Sequence, residues 1–230
     1  MNIQHHALFP VLVTESFYEK KDEFKNKFNS QIMKYISPEG FSNERTGHVF
    51  MHHEIEFYDL FNFITKIAKS YLQQLNIDSE IFDFNIVKSW MNIIRNRGTP
   101  LHFHGDAHLS FSYYVNVPDD AAFPIIFHNQ LVNRMEPFPG IIEWNCDGNW
   151  TWLNSYTWKF IPKEGQLFVF PAKLFHETPE TFFDPDYPVK NVNDLKSKRV
   201  SIAGDIILTY KERTAKCLGL QPIHNWKTFD

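Results

Sequence analysis

From Phe84 to Tyr210 the chain is cut into short apolar runs by clusters of Pro, Gly, Asn and Asp, and this segmentation limits what it can fold into. The runs are FNIVKSWMNIIR, LSFSYYVNV, FPIIFHN, GIIEWN, TWKFIP, GQLFVFP and RVSIAGDIILTY. They are rich in β-branched and aromatic residues, and punctuation of this kind predicts seven or so strands of a sandwich or barrel. The stretch from Phe182 to Lys198 has prolines and charges without a period, which predicts a loop and a candidate lid.

Ahead of the strands the period is helical. Over 14–36, Phe17, Phe24, Phe28, Ile32 and Tyr35 recur at steps of three, four or seven, and Ser37-Pro38-Glu39-Gly40 ends the pattern. A second stripe runs through Phe57, Leu60, Phe61, Ile64, Ile67, Ala68, Tyr71, Leu72 and Leu75. Both helices are expected to pack on the outside of a sheet. A chain of 230 residues has room for one well-buried core. The expectation is therefore a mostly β single domain over 1–230, with an N-terminal helical elaboration over 1–83, a β core over 84–215 and a tail over 216–230. Twenty-three Phe, nine Tyr and six Trp can fill a thick core between sheets.

Charge excludes some partners. The formal net charge is −4 and no Lys/Arg run marks one face, so nucleic acid is not expected as the primary ligand. No segment approaches 18 uninterrupted apolar residues, and the N-terminus has no basic stretch followed by an apolar one; a membrane is not expected, and a cytoplasmic location is. Cys146 and Cys217 lack CxxC spacing and are expected to be free thiols.

The stretch richest in chemistry is Leu101-His102-Phe103-His104-Gly105-Asp106-Ala107-His108. If it is extended, positions 102, 104, 106 and 108 share a face, because strand side chains alternate with period two. His176 follows the apolar run GQLFVFP. His104, Asp106 and His176 then form a two-His, one-carboxylate set of the kind that holds Fe(II) and leaves three positions open. Adjacent open positions suit a bidentate 2-oxo acid and dioxygen. The far carboxylate of such an acid needs a cation, and Arg199 at the start of the last strand run can offer a two-pronged guanidinium. Ser201 lies two residues on and faces the same side, and Tyr114 shares the parity of the His face.

Several of these segments resemble the 2-oxoglutarate and Fe(II)-dependent oxygenases, and more closely a branch related to the prolyl hydroxylases. They are Trp90-Met91-Asn92, His102-x-His104 followed by Leu109 to Val115, Gly165 to His176, and Arg199-Val200-Ser201-Ile202. The resemblance covers roughly 85–210. It implies a double-stranded β-helix, a jelly-roll barrel, with Fe(II) as cofactor and 2-oxoglutarate as co-substrate. It also implies that His176 is the distal metal ligand and that Arg199 binds the C5 carboxylate with help from Tyr114, with Ser201 and Asn92 beside the co-substrate. The metal pair at the first segment is either His104 with Asp106 or His102 with His104. The residues from 177 to 198 form a longer separation than in prolyl hydroxylases. Dioxygen and a peptide or small-molecule substrate are the implied partners, and a homodimer is left open. Two other readings share the barrel: a cupin-like metal enzyme that uses no 2-oxoglutarate, and a non-catalytic binding module. Trp144, Trp150, Trp152, Tyr156 and Trp158 are available to line a substrate pocket or to fill the core.

Overall fold

A computed structural model describes residues 3–4, 11–35, 50–94, 98–119, 123–129, 151, 155–179, 191–212 and 219–229. The expected strand over GIIEWN, both cysteines, Trp144, Trp150, Trp152 and most of the candidate lid lie outside the described residues.

The strands that the sequence marks are β2 (Phe82–Ile94), β3 (Leu109–Asn116), β4 (Ile125–His128), β5 (Thr157–Phe160), β6 (Gln166–Pro171) and β8 (Arg199–Tyr210). Two more complete the set, β1 (Thr14–Phe17) and β7 (His176–Glu177). They form a five-stranded sheet in the order β1-β6-β3-β8-β2 and a three-stranded sheet in the order β5-β4-β7, with every pairing antiparallel. The two sheets face each other as a jelly roll, the double-stranded β-helix, and Phe168 and Phe170 of one meet Ile125 and Phe127 of the other between them.

Period two assigns each side chain of β3 to one of two buried environments. Phe111, Tyr113 and Val115 point to the helices and join a core with Leu167, Val169, Ile202 and Ile206. Ser112 and Tyr114, on the other face, line the barrel interior. That face is polar inside a closed fold, and it is where chemistry can be placed. A β-bulge between Ile86 and Lys88 switches the parity of β2. Phe82, Phe84 and Ile86 pack with the helix-side core before it, and Met91 and Ile93 do so after it. The even residues Trp90 and Asn92 are thereby aimed into the barrel. Gly204 of β8 lets the sheet close at this level, since a Cβ there would lie 2.5 Å from the Phe111 ring and 2.6 Å from the Lys88 carbonyl oxygen.

Helices α1 (Lys21–Gln31) and α2 (Tyr58–Gln74) cover the other face of the large sheet. Phe24 and Phe28 of α1 and Leu60, Phe61, Ile64, Ala68, Tyr71 and Leu72 of α2 are buried. Each large apolar side chain so buried contributes about 1.5–3 kcal/mol. After α2, Asn76 takes a left-handed conformation with φ 56°, while the Ile77 and Asn76 amides donate to the Leu72 and Gln73 carbonyls. This is the Schellman closure, with Asn in the place Gly usually takes.

The expected helix over 14–36 is corrected at both ends. Residues 14–17 are strand β1, paired with β6 in the register Thr14↔Val169, and 32–35 continue α1 as a tighter 3-10 turn. Phe17 fits the helical period but is 48% exposed on this edge strand, and its neighbour Tyr18 takes the buried place. Among the described residues no helix is long and apolar enough to cross a membrane.

Candidate metal and co-substrate site

Residues 101–104 run beside β7. His102 and His176 exchange backbone hydrogen bonds of 3.0 and 2.9 Å, and the His104 amide donates to the Ala172 carbonyl at 2.8 Å. The two segments that the sequence separates by 72 positions are thus neighbouring extended chains. A turn at Gly105–Asp106 then redirects the chain into β3.

This turn decides which residues share a face. His102, His104 and His176 each offer one ring nitrogen, and these atoms lie within 4.8 Å of one another. Asp106 sits in the turn, exposed, and does not belong to the cluster. The alternation expected over 102–108 therefore stops after 104. His108 also leaves the shared face: its Nδ1 accepts a 3.0 Å hydrogen bond from the Leu208 amide, prolonging the β3–β8 ladder.

The tautomers follow from the partners. Nδ1 of His102 faces the Pro100 carbonyl at 2.8 Å, and Nδ1 of His176 faces the Leu174 carbonyl at 2.8 Å. Nδ1 of His104 lies 2.5 Å from Oδ1 of Asp205. All three partners are acceptors, so Nδ1 carries the hydrogen and donates, and Nε2 is the nitrogen left in each ring to hold a metal. Burial pushes the His176 imidazole down to about 3, with the neighbouring His102 and His104 adding to the effect and the Leu174 carbonyl opposing it. It is therefore neutral at pH 7, the form that ligates a metal. His104 is further held by stacking on Trp90, with ring centroids 5.6 Å apart.

The imidazoles open into a cavity of about 300 Å³ whose wall includes Asn92, Tyr114, Arg199 and Ser201. Register explains the grouping: Ser201 of β8 is paired with Asn92 of β2 on one side and Tyr114 of β3 on the other. Arg199 is 2% exposed, and its Nη2 donates to the Tyr114 hydroxyl at 3.1 Å. Its guanidinium carbon lies 4.8 Å from the Tyr114 ring centre. Its Nε is buried without an acceptor, and among the described residues no carboxylate pairs with it. A buried cation without a counterion costs several kcal/mol. An anionic ligand in the cavity would remove that cost.

The residues fit the groups that the resemblance implies. Three neutral imidazole donors suit a divalent transition metal, and the orphaned guanidinium suits the far carboxylate of an oxo diacid. Seven of the eight residues expected at the site line this one cavity, and Asp106 does not. The sequence reading missed Asp205, which is fully buried on the same face of β8 as Arg199 and Ser201. Its signal was available, as a carboxylate inside an apolar strand needs partners.

Residues 88–184, less than half of the chain, match the family described as "Putative 2OG-Fe(II) oxygenase". The match takes in Trp90, Asn92, His102, His104, Tyr114 and His176, and stops short of Arg199. No curated protein matches the chain. Among solved structures, a Pseudomonas putida prolyl-4-hydroxylase superposes with a TM-score of 0.50 at 12% identity, covering 85% of this chain and 91% of that one. The non-heme alpha-ketoglutarate-dependent epimerase SnoN from nogalamycin biosynthesis gives 0.54 at 11% identity, covering 90% of this chain and 81% of that one. A 2OG-Fe(II) oxygenase family oxidoreductase from Burkholderia pseudomallei matches 54% of this chain with a TM-score of 0.34 and 13% identity, and the chain spans 45% of that protein's length. At such identities the superpositions on the prolyl-4-hydroxylase and the epimerase speak for the fold alone, and the family match speaks for the segment that bears the imidazoles. Residues 88–184 are similar to the 2OG-Fe(II) oxygenase family, and the chain as a whole shares the double-stranded β-helix fold of solved oxygenases.

Proposed function

We propose that this protein is an oxygenase that uses Fe(II) and 2-oxoglutarate to hydroxylate a C–H bond of a peptide or small molecule. The observation that carries the reading is Arg199, a buried cation with an unmatched Nε, on the wall of the same cavity as His102, His104 and His176. We assign the metal to these three imidazoles and leave Asp106 out, because it is exposed in a turn outside their cluster. Bound together, Fe(II) and 2-oxoglutarate supply the power to activate dioxygen, at the expense of oxidative decarboxylation of the oxo acid to succinate.

The chain's own residues bind and orient. Arg199 takes the far carboxylate in a fork, and the Tyr114 hydroxyl, already bonded to Nη2, fixes the plane of that fork. Ser201 and Asn92 flank the same end through their register pairing. Phe170 and Ile125 line the cavity and keep water from competing for the ionic contacts. Tyr156 and Trp158, exposed at 39% and 40%, stand on or next to β5 and are available to a substrate that reaches the small sheet.

Among the described residues no carboxylate joins the imidazole cluster, and this favours a second reading, a metal dioxygenase that takes no 2-oxo acid. Turnover separates the two. Aerobic Fe(II)-loaded protein should convert 2-oxoglutarate to succinate slowly by itself and faster with a true substrate among panels of amino acids and peptides. Metal-loaded protein that never consumes 2-oxoglutarate, with or without those panels, would decide for the second reading.

A further inference from the structure

Among the described residues, Asp205 is the one buried carboxylate near the imidazoles, and its contacts come from three sides. Its side chain has no exposure. Oδ1 accepts from His104 Nδ1 at 2.5 Å and from the Ser110 hydroxyl at 2.6 Å, while the Lys88 ammonium lies 2.9 Å from Oδ2. These contacts come from register partners, because Asp205 pairs with Lys88 on β2 and with Ser110 on β3. The carboxylate is thus held between β2 and β3, the two strands that flank β8 in the large sheet. The bulge between Ile86 and Lys88 is what aims Lys88 at it.

The three imidazoles are not equivalent in consequence. His102 and His176 donate from Nδ1 to backbone carbonyls, which are neutral, whereas His104 donates to a carboxylate. A hydrogen bond to an anion puts more electron density on the far nitrogen, fixes the ring plane and fixes the tautomer. Lys88 balances the carboxylate on its Oδ2 side, so the effect of Asp205 on a metal reaches it through the Oδ1 hydrogen bond to His104.

We infer that Asp205 is the positioning residue of this metal site, holding His104 in the ring plane and tautomer that make it the strongest donor of the three. The inference rests on the reading of His102, His104 and His176 as metal ligands. Asp205 touches neither metal nor substrate and acts through His104.

Co(II) is the probe, because its visible absorption reports the strength and geometry of its donors. The wild-type protein, His176→Ala, Asp205→Asn and Ser110→Ala are titrated with Co(II), with far-UV circular dichroism as the check of folding. Asp205→Asn keeps the size of the side chain and loses the charge; Co(II) affinity should fall about 10–100-fold and the absorption band should move. Ser110→Ala removes the second donor from Oδ1 and leaves all three imidazoles in the chain, so the band should move while the fold is kept. A folded Asp205→Asn with wild-type affinity and a wild-type band overturns the inference. Should Asp205→Asn not fold, an unmoved band in Ser110→Ala overturns it instead. A wild-type protein that binds no Co(II), or a His176→Ala variant that binds it undiminished, marks the failure of the metal reading itself.

Discussion

Arg199→Ala is expected to raise the dissociation constant for 2-oxoglutarate at least 30-fold in the anaerobic Fe(II)-loaded protein, while iron affinity stays within about threefold. The guanidinium is 2% exposed, so the co-substrate carboxylate would be left in a desolvated place without its partner. Such a loss costs roughly 2–5 kcal/mol, and each 1.4 kcal/mol is about tenfold in affinity. Arg199→Lys keeps the charge but cannot reproduce a planar fork or the contact with the Tyr114 ring, so it should recover only part of the loss. A third substitution makes an independent point about the ligand-free protein. Because Arg199 is buried with its Nε unmatched, Arg199→Met should leave thermal stability unchanged or raise it. Equal 2-oxoglutarate binding in wild type and Arg199→Ala would remove Arg199 from the site, and with it the advantage of the oxygenase reading over a metal enzyme without 2-oxo acid.

The second large effect is on the metal. His104→Ala and His176→Ala should each weaken Fe(II) binding well beyond the 10–100-fold expected for a contact outside the ligand set, because each removes a direct donor. Asp106→Ala should leave it within about threefold, since Asp106 is exposed in the 105–106 turn and apart from the three imidazoles. Isothermal titration under anaerobic conditions reads these three variants and His102→Ala. A loss in Asp106→Ala matching that in His104→Ala, with His102→Ala unaffected, would return the site to two imidazoles and a carboxylate.

What could be read from the sequence was what alternation and chemical type announce. Arg199 and Ser201 share a face of β8, and their strand is long and regular, so period two carried them into the cavity with Tyr114 and Asn92. His102 and His104 share a face for the same reason, and His176 follows an apolar strand that must be buried. The alternation failed at Asp106 because a turn intervenes; Gly105-Asp106 is a turn-type pair, and reading through it as strand overlooked that local signal. Strand β1 was hidden for the opposite reason: Phe17 happens to continue the helical spacing of Phe24 and Phe28, while only the distant partner β6 makes Thr14–Phe17 extended. Asp205 belongs to a third kind. Its role depends on Lys88 and Ser110 from two other strands, and Lys88 reaches it only because of a bulge that no residue pattern in β2 announces.

The central claim is that one cavity binds Fe(II) through imidazoles at one place and 2-oxoglutarate through Arg199 at another, with the oxo acid also reaching the metal. Anaerobic addition of 2-oxoglutarate to the Fe(II)-loaded protein tests this most directly, because chelation of the metal by the oxo acid gives a visible metal-to-ligand absorption band. A saturable band that appears in the wild type, is lost in His176→Ala and needs at least 30-fold more 2-oxoglutarate in Arg199→Ala is the predicted result. Iron-loaded wild-type protein that shows no such band at any 2-oxoglutarate concentration would contradict it.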